Sequence, residues 1–325
     1  MNSIVVTGDR PTGQLHLGHY VGSLTQRLEL QHQHEMFILI ADTQVLNNDI
    51  SKSQEVKKHT LSLMRDYLAV GLKPEKIHFV LQSRVPALFE LTQYLSNLVS
   101  LSFVMRNPTI KNENKLYNHD LNMGFLNYPI SQTSDIVLFN GELVPVGADQ
   151  VPILEFANDV IEKFHGNFKC NTFKKIQPLL SSTPRLCGLD GNNKMSKSLN
   201  NAIFLSDSLK NLKKKINSMY TDRNHLNISD PGQIEGNVVF TFLDVFMEDR
   251  VLLEEFKAHY QRGGLGDSYL KNVLFDILSP LLESINVNGQ QFSDSYLKEV
   301  LDEGTQYANH VANEKMNKIR DIIFS

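Results

Sequence analysis

The first half of the chain alternates short apolar runs with longer amphipathic stretches. Residues 4–7 form a β-branched run ended by Gly8; residues 36–41 and 77–81 are two further apolar runs. Short runs of this kind, bounded by turn residues, read as strands buried on both faces. Between the second and third lies a helical pattern. Ser51 or Ser53 is available to cap it, Leu61, Met64 and Leu68 share one face, and Gly71 stands just past its end. Strand, helix, strand at this spacing predicts a parallel sheet covered by helices. After Asp135 come the apolar residues 136–139, a hairpin-like turn at Asn140-Gly141 and a strand over 143–146, with a helix predicted from about Val151 to Phe164.

Beyond about residue 205 the pattern changes. Apolar residues recur at helical spacing over 209–219, 238–246, 251–260, 269–285 and 292–323, and Pro231-Gly232 and Gly263-Gly264-Leu265-Gly266 mark turns. The expected architecture is α/β: a doubly wound, parallel-sheet, Rossmann-like nucleotide-binding domain over 1–204, then a helical domain over 205–325. A length of 325 residues accommodates two domains.

Composition narrows the class further. No apolar run approaches the roughly 18–20 residues of a membrane span. The opening Met1-Asn2-Ser3-Ile4-Val5-Val6 reads directly as a strand, without the layout of a signal peptide. Two cysteines, Cys170 and Cys187, supply neither a disulfide framework nor a four-cysteine metal site. These features fit a cytoplasmic protein. A net charge of −4 argues against broad non-specific nucleic-acid binding while leaving room for a local basic patch.

Two motifs carry chemistry. In Gly8-Asp9-Arg10-Pro11-Thr12-Gly13-Gln14-Leu15-His16-Leu17-Gly18-His19 a strand ends, a turn follows and a helix starts near Leu15–Gly18. Free backbone N–H groups and the positive helix end then face a ligand, which suits phosphate. Gly18 leaves room for a flat adenine against the backbone, and His16 and His19 share a helix face from which both could donate to phosphate oxygens. Taken alone, two histidines near a helix start are as readily surface residues. In Gly191-Asn192-Asn193-Lys194-Met195-Ser196-Lys197-Ser198, two lysines three apart sit in a Gly- and Asn-rich loop. Such a loop can close on a phosphate chain and neutralise departing pyrophosphate. By itself it is more simply a solvated basic loop.

Together, in this order, His16-Leu17-Gly18-His19 and Lys194-Met195-Ser196-Lys197-Ser198 resemble the two signature sequences of the class I aminoacyl-tRNA synthetases; Leu17 stands where the common form has isoleucine. The tryptophanyl branch, in its bacterial form, is resembled by Tyr128-Pro129-Ile130-Ser131-Gln132-Thr133-Ser134-Asp135-Ile136 and by Leu143 to Gln150. Gln82-Ser83-Arg84-Val85-Pro86, Thr221-Asp222 and Asp230-Pro231-Gly232 fit as well. The resemblance runs from about residue 4 to 315 and implies activation of tryptophan with ATP, then transfer to tRNA. It further implies that Asp135 accepts the indole N–H, with Tyr128, Gln150, Gln44, Val6, Val144 and Val146 around it. ATP would meet Arg10, Pro11, Thr12, Gly18, His19, Gly147, Ala148, Asp149, Leu186 and Lys194, Met195, Ser196, Lys197 and Ser198. His16, His19, Lys111, Lys194 and Lys197 would stabilise charge in the reaction. Magnesium is expected mainly on the ATP phosphates, with no metal ligated by the protein. A homodimer bridged by each tRNA is the implied assembly.

The chain departs from the pattern in places. Relatives often carry glutamine at Arg10, threonine and asparagine at His16 and His19, and histidine at Gln44. Plainer roles stand beside the functional ones: Asp135 as a helix or strand cap, Gln150 as a first-turn residue, and Lys210, Lys213 and Lys214 as a solvated face. A tyrosyl enzyme, a non-catalytic paralogue and a small nucleotidyltransferase are the competing readings; both signatures being intact weighs against the last two.

Overall fold

The sheet forms where the apolar runs predict it. β1 (Ile4–Asp9), β2 (Glu35–Ile40), β3 (Ile77–Leu81), β4 (Leu143–Val146) and β5 (Gln177–Leu180) pair in the order β3-β2-β1-β4-β5, all parallel. The structure is a computed structural model; it describes residues 3–47, 50–117, 122–181, 186–191, 195 and 199–325. β1 and β2 are near-continuous apolar runs because helices cover both faces of a parallel sheet. Gly8 is required in β1: a β-carbon there would stand 2.6 Å from the Leu39 carbonyl oxygen.

Two local expectations are corrected. The Ser53–Ala69 helix follows a 3-10 turn at Ile50–Lys52, and neither serine caps it; Lys52 holds the cap position and makes no side-chain capping bond. Asn140-Gly141 is not a hairpin, since β4 pairs in parallel with β1, Val5 opposite Leu143. The dipeptide closes the Met123–Val137 helix: the Gly141 N–H donates to Ile136 O, and Asn140 takes a left-handed φ of 55°. Asp135 therefore lies inside a helix and caps nothing.

By packing, the chain divides into two units that interleave in sequence and do not part at residue 204. One comprises residues 1–13, 26–181 and 292–325; the other comprises 14–25 and 182–291. The cause in the first unit is the Asp294–Phe324 helix, which covers the open edge of the sheet at β3. Its Thr305 hydroxyl accepts from the Leu81 N–H at 3.0 Å, and a β-carbon on Gly304 would stand 2.3 Å from Phe79 O. An unpaired parallel edge is thus satisfied by a helix brought to backbone contact. Arg320 to Glu90, Arg65 to Asp294 and Arg84 to Asp302 pin the same helix.

In the second unit the Leu209–Asn217, Val238–Phe246, Arg250–Arg262 and Asp267–Gln290 helices form as their periodicity predicts. Pro231-Gly232 and residues 263–266 lie between helices; the Gly232 N–H donates to Tyr260 O. No helix among the described residues is long and apolar enough to cross a membrane.

Candidate active site

In a parallel sheet of this order the connections leave β1 and β4 in opposite directions, which opens a crevice at their C-terminal ends. After β1 comes the loop with exposed Arg10 and Thr12 and buried Pro11; Gly13 adopts a φ of 113°, open to glycine at little cost. After β4 come Gly147 and a 3-10 turn at Ala148–Gln150, which leads into the Val151–Phe168 helix. The segment carrying Lys111 is tied to that turn. Thr109 Oγ1 donates to Asp149 O at 2.9 Å and Asn107 Nδ2 to Pro152 O at 2.8 Å, so exposed Lys111 starts one turn from Asp149.

Asp9, at the end of β1, is engaged from behind. Arg27 Nη1 donates to its Oδ2 at 2.6 Å, and the Tyr67 hydroxyl donates to the same oxygen. Arg27 and Tyr67 are both buried. The pair fixes the strand end from which the Arg10–Gly13 loop departs.

Asp135 is 6% exposed. Gln82 Nε2 donates to both its oxygens, at 2.9 and 2.8 Å, and Gln44 Nε2 donates to Oδ2 at 3.1 Å. Burial is the main influence on the carboxyl and outweighs the Gln82 bond, so its pKa is pushed up to about 7. Val6 and Val144 are buried in the apolar cluster behind it, with Val146 and Tyr128 half-buried at its margin. Tyr128 packs edge-on against Phe125. Gln44 thus joins Asp135 directly, whereas Gln150 bonds to its neighbour Asp149.

In the second unit the first signature motif is held by strand-like pairing. His16 bridges Phe204, the Leu17 N–H donates to Ile203 O, and the Leu205 N–H donates to Leu15 O, both at 2.9 Å. That pairing places the first motif beside the chain leaving the second, although some 175 residues separate them. Met195, 2% exposed, belongs to this contact: its Sδ would lie 3.5 Å from a β-carbon on Gly18. The His16 ring would stand 2.9 Å from that same β-carbon, a second reason for glycine here. His16 caps the Leu17–His19 turn in extended conformation, and its N–H donates to His19 Nδ1 at 3.2 Å, so the neutral His19 ring carries its proton on Nε2. The His16 ring is buried against His19, with centroids 3.8 Å apart. Leu186 is buried. Lys194, Ser196, Lys197 and Ser198 lie outside the described residues. Among the described residues no group of three or more His, Cys, Asp or Glu side chains is placed to hold a metal ion.

The residue that sequence reasoning passed over is Gln82. It lies in the motif over residues 82–86, where the resemblance gives it no role; the signal for it is a polar side chain directly after a buried parallel strand, where ligand-facing residues concentrate.

A nucleotide-type parallel sheet and a buried acid ringed by amides in one unit, and a His-Leu-Gly-His turn paired with residues 203–205 in the other, are the features that define the class. The chain belongs to the tRNA synthetases class I (W and Y), a family that matches residues 1–283. Among its relatives, the tryptophan–tRNA ligase of Streptococcus mutans is 45% identical over 98% of this chain and 96% of that protein. The tryptophan–tRNA ligase of Clostridium longisporum is 43% identical over the same shares. The crystal structure of tryptophanyl-tRNA synthetase from Campylobacter jejuni, complexed with ADP and tryptophan, superposes with a TM-score of 0.86 at 30% identity. It covers 98% of this chain and 99% of that one.

Proposed function

We infer that the chain activates L-tryptophan with ATP and esterifies the 3′ end of tRNA with it: a tryptophan–tRNA ligase reaction. The tryptophan carboxylate attacks the α-phosphate of magnesium–ATP, the bond to the β-phosphate breaks, and tryptophanyl-adenylate and pyrophosphate result. A terminal ribose hydroxyl of the tRNA then attacks the acyl carbon and AMP leaves. Neither step calls for a covalent nucleophile from the protein, so catalysis rests on positioning and on charge stabilisation.

The observation that carries the choice of amino acid is Asp135, a buried carboxylate that already holds the Gln82 and Gln44 amides and has acceptor capacity for a further N–H. An indole carries its one donor on the ring edge, where phenylalanine and the aliphatic side chains carry none, and a side chain without it leaves one lone pair of the desolvated acid unmet. Tyr128, Gln150, Gln44 and Val146 complete the surroundings of the indole, with Val6 and Val144 packed behind. Arg10, Pro11, Thr12, Gly147, Ala148 and Asp149 take nucleotide contacts in one unit; Gly18, His19, Leu186 and residues 194–198 take them in the other. His19 offers its Nε2–H to phosphate, while buried His16 shapes the turn around Gly18. Lys111, Lys194 and Lys197 meet the negative charge that develops on pyrophosphate, and magnesium arrives on the triphosphate. Residues 205–325 contribute to tRNA anticodon binding, the active species is a homodimer, and the enzyme works in the cytoplasm.

ATP–pyrophosphate exchange measured with each of the twenty amino acids tests this without tRNA. Stimulation by tryptophan, and at most feeble stimulation by tyrosine or phenylalanine, is the expected result; faster exchange with tyrosine than with tryptophan would overturn it. Because the chain contains no tryptophan, bound substrate can also be followed by its own fluorescence without a tryptophan background from the protein.

A further inference from the structure

Asp135 is one end of a hydrogen-bonded row. Gln82, 1% exposed, donates to it through Nε2. The other end of the same amide, Oε1, accepts from the Thr43 hydroxyl at 2.5 Å. Thr43 lies in the Thr43–Asn47 turn after β2, Gln82 in the Gln82–Arg84 turn after β3, and Asp135 in the Met123–Val137 helix; all belong to the same packing unit.

We propose that Gln82, oriented by Thr43, is a positioning residue for tryptophan recognition: it holds the Asp135 carboxylate as the acceptor that reads the indole N–H. The proposal rests on the assignment of Asp135 to the indole made above.

The direction of the row carries the argument. An amide accepts at one end and donates at the other, while an ionised carboxylate only accepts. Nε2 must therefore face Asp135, Oε1 must face Thr43, and the hydroxyl must give its one proton to Oε1. Gln44 adds a second amide donor to Oδ2. If Asp135 were protonated, one of its oxygens would aim an O–H at an amide N–H; the amide facing it would have to turn over, and for Gln82 that would require Thr43 to reverse as well. The row as built matches the charged acid.

Opposing it is burial, which drives the carboxyl toward neutrality and brings its titration to about 7, with the Gln82 bond acting the other way. Charged and titratable groups on the surrounding elements are engaged elsewhere or stand apart. Asp9 on β1 is held by Arg27 and Tyr67. Glu90 is held by Arg320 and Tyr94, and Arg84 by Asp302. Arg106 lies over Phe103. The Val151–Phe168 helix bears Glu155, Asp159, Glu162, Lys163 and His165, the Thr43–Asn47 turn bears none, and Tyr128 shares the Asp135 helix. None of them adds to the two influences on Asp135, burial and Gln82. With burial so strong and no cation among the described residues to offset it, the amide row decides which form of the acid the substrate meets.

The test is the pH profile of kcat/KM for tryptophan in ATP–pyrophosphate exchange, which reports the free enzyme. In the parent it rises through about 7 to a plateau, because the charged form is the competent one. Gln82→Met keeps the length and removes the donor, so the midpoint moves alkaline by about one unit. That is roughly a fivefold loss at pH 7, approaching tenfold below pH ~6 and recovered at higher pH, with the KM for ATP unmoved. Thr43→Val moves it the same way by less, and Thr43→Ser restores the parent profile. An unmoved midpoint in Gln82→Met, at normal or uniformly lowered rate, overturns the proposal. If Gln82→Met does not fold, an unmoved midpoint in Thr43→Val overturns it equally. Asp135→Asn separates the two layers. If the rising limb and the preference for tryptophan survive in that variant, the assignment of Asp135 itself fails. If they vanish there while Gln82→Met leaves the midpoint in place, only the positioning role fails.

Discussion

A buried acid kept for recognition should cost the fold stability, and the cost should depend on pH. The Asp135 carboxyl titrates at about 7 in the folded protein against 3.8 when unperturbed, a rise of about 3 units. Between those values the folded state binds the proton more tightly than the unfolded chain, so this group's contribution falls as pH rises. At 1.36 kcal/mol per unit the penalty reaches about 4 kcal/mol above pH ~8, and more than half of it accrues above pH ~5. Asp135→Asn removes the charge at nearly constant volume. It also forfeits up to two hydrogen bonds from Gln82 and Gln44, about 1–1.5 kcal/mol each. The variant is thus expected to be less stable than the parent in acid and to overtake it by about 1–2 kcal/mol at pH ~8. Urea unfolding of both proteins, followed by circular dichroism across that pH range, reads the difference directly. A gap that stays flat with pH, or widens in the parent's favour as pH rises, refutes the reasoning.

Further expectations follow from other parts of the molecule. Arg27→Met takes the guanidinium from Asp9 and should cost about 3 kcal/mol, the loss typical of breaking a largely buried ion pair, seen as a lower melting temperature. Gly304→Ala forces a methyl against Phe79 O and should destabilise by roughly 1–3 kcal/mol, with the pyrophosphate exchange of the remaining folded enzyme preserved. Lys197→Ala should slow single-turnover adenylate formation ~100-fold, about 3 kcal/mol, with tryptophan affinity nearly unchanged. An adenylation rate equal to the parent's would remove Lys197 from the phosphate clamp.

How far the sequence could be read depended on the range of the interaction involved. β1 to β4 announced themselves because each is an apolar run closed by turn residues. β5 did not: Gln177 and Pro178 are exposed, Leu180 is exposed too, and an edge strand of this kind has no period to detect. The Met123–Val137 helix was masked by Pro129 within it, and Asn140-Gly141 imitated a hairpin signal while closing that helix. The last helix follows helices in sequence but returns to β3, a decision made by Gly304 and Thr305 that no local pattern reveals. The site divides the same way. Asp135 and both signatures stood out by resemblance. Two things needed coordinates: the antiparallel pairing of residues 15–17 with 203–205, and the approach of Thr43, Gln82 and Gln44 to Asp135 from separate turns.

The central claim is that one buried carboxylate tells tryptophan from its near-isosteres. Its most direct test compares kcat/KM for tryptophan and for the analogue with sulfur in place of the indole N–H, in the parent and in Asp135→Ala. The parent should reject the analogue strongly. The variant should lose at least ~2 kcal/mol toward tryptophan, about 30-fold, and most of its discrimination, with the KM for ATP scarcely changed. If Asp135→Ala prefers tryptophan over the analogue as strongly as the parent does, the carboxylate does not read the indole and the account is wrong.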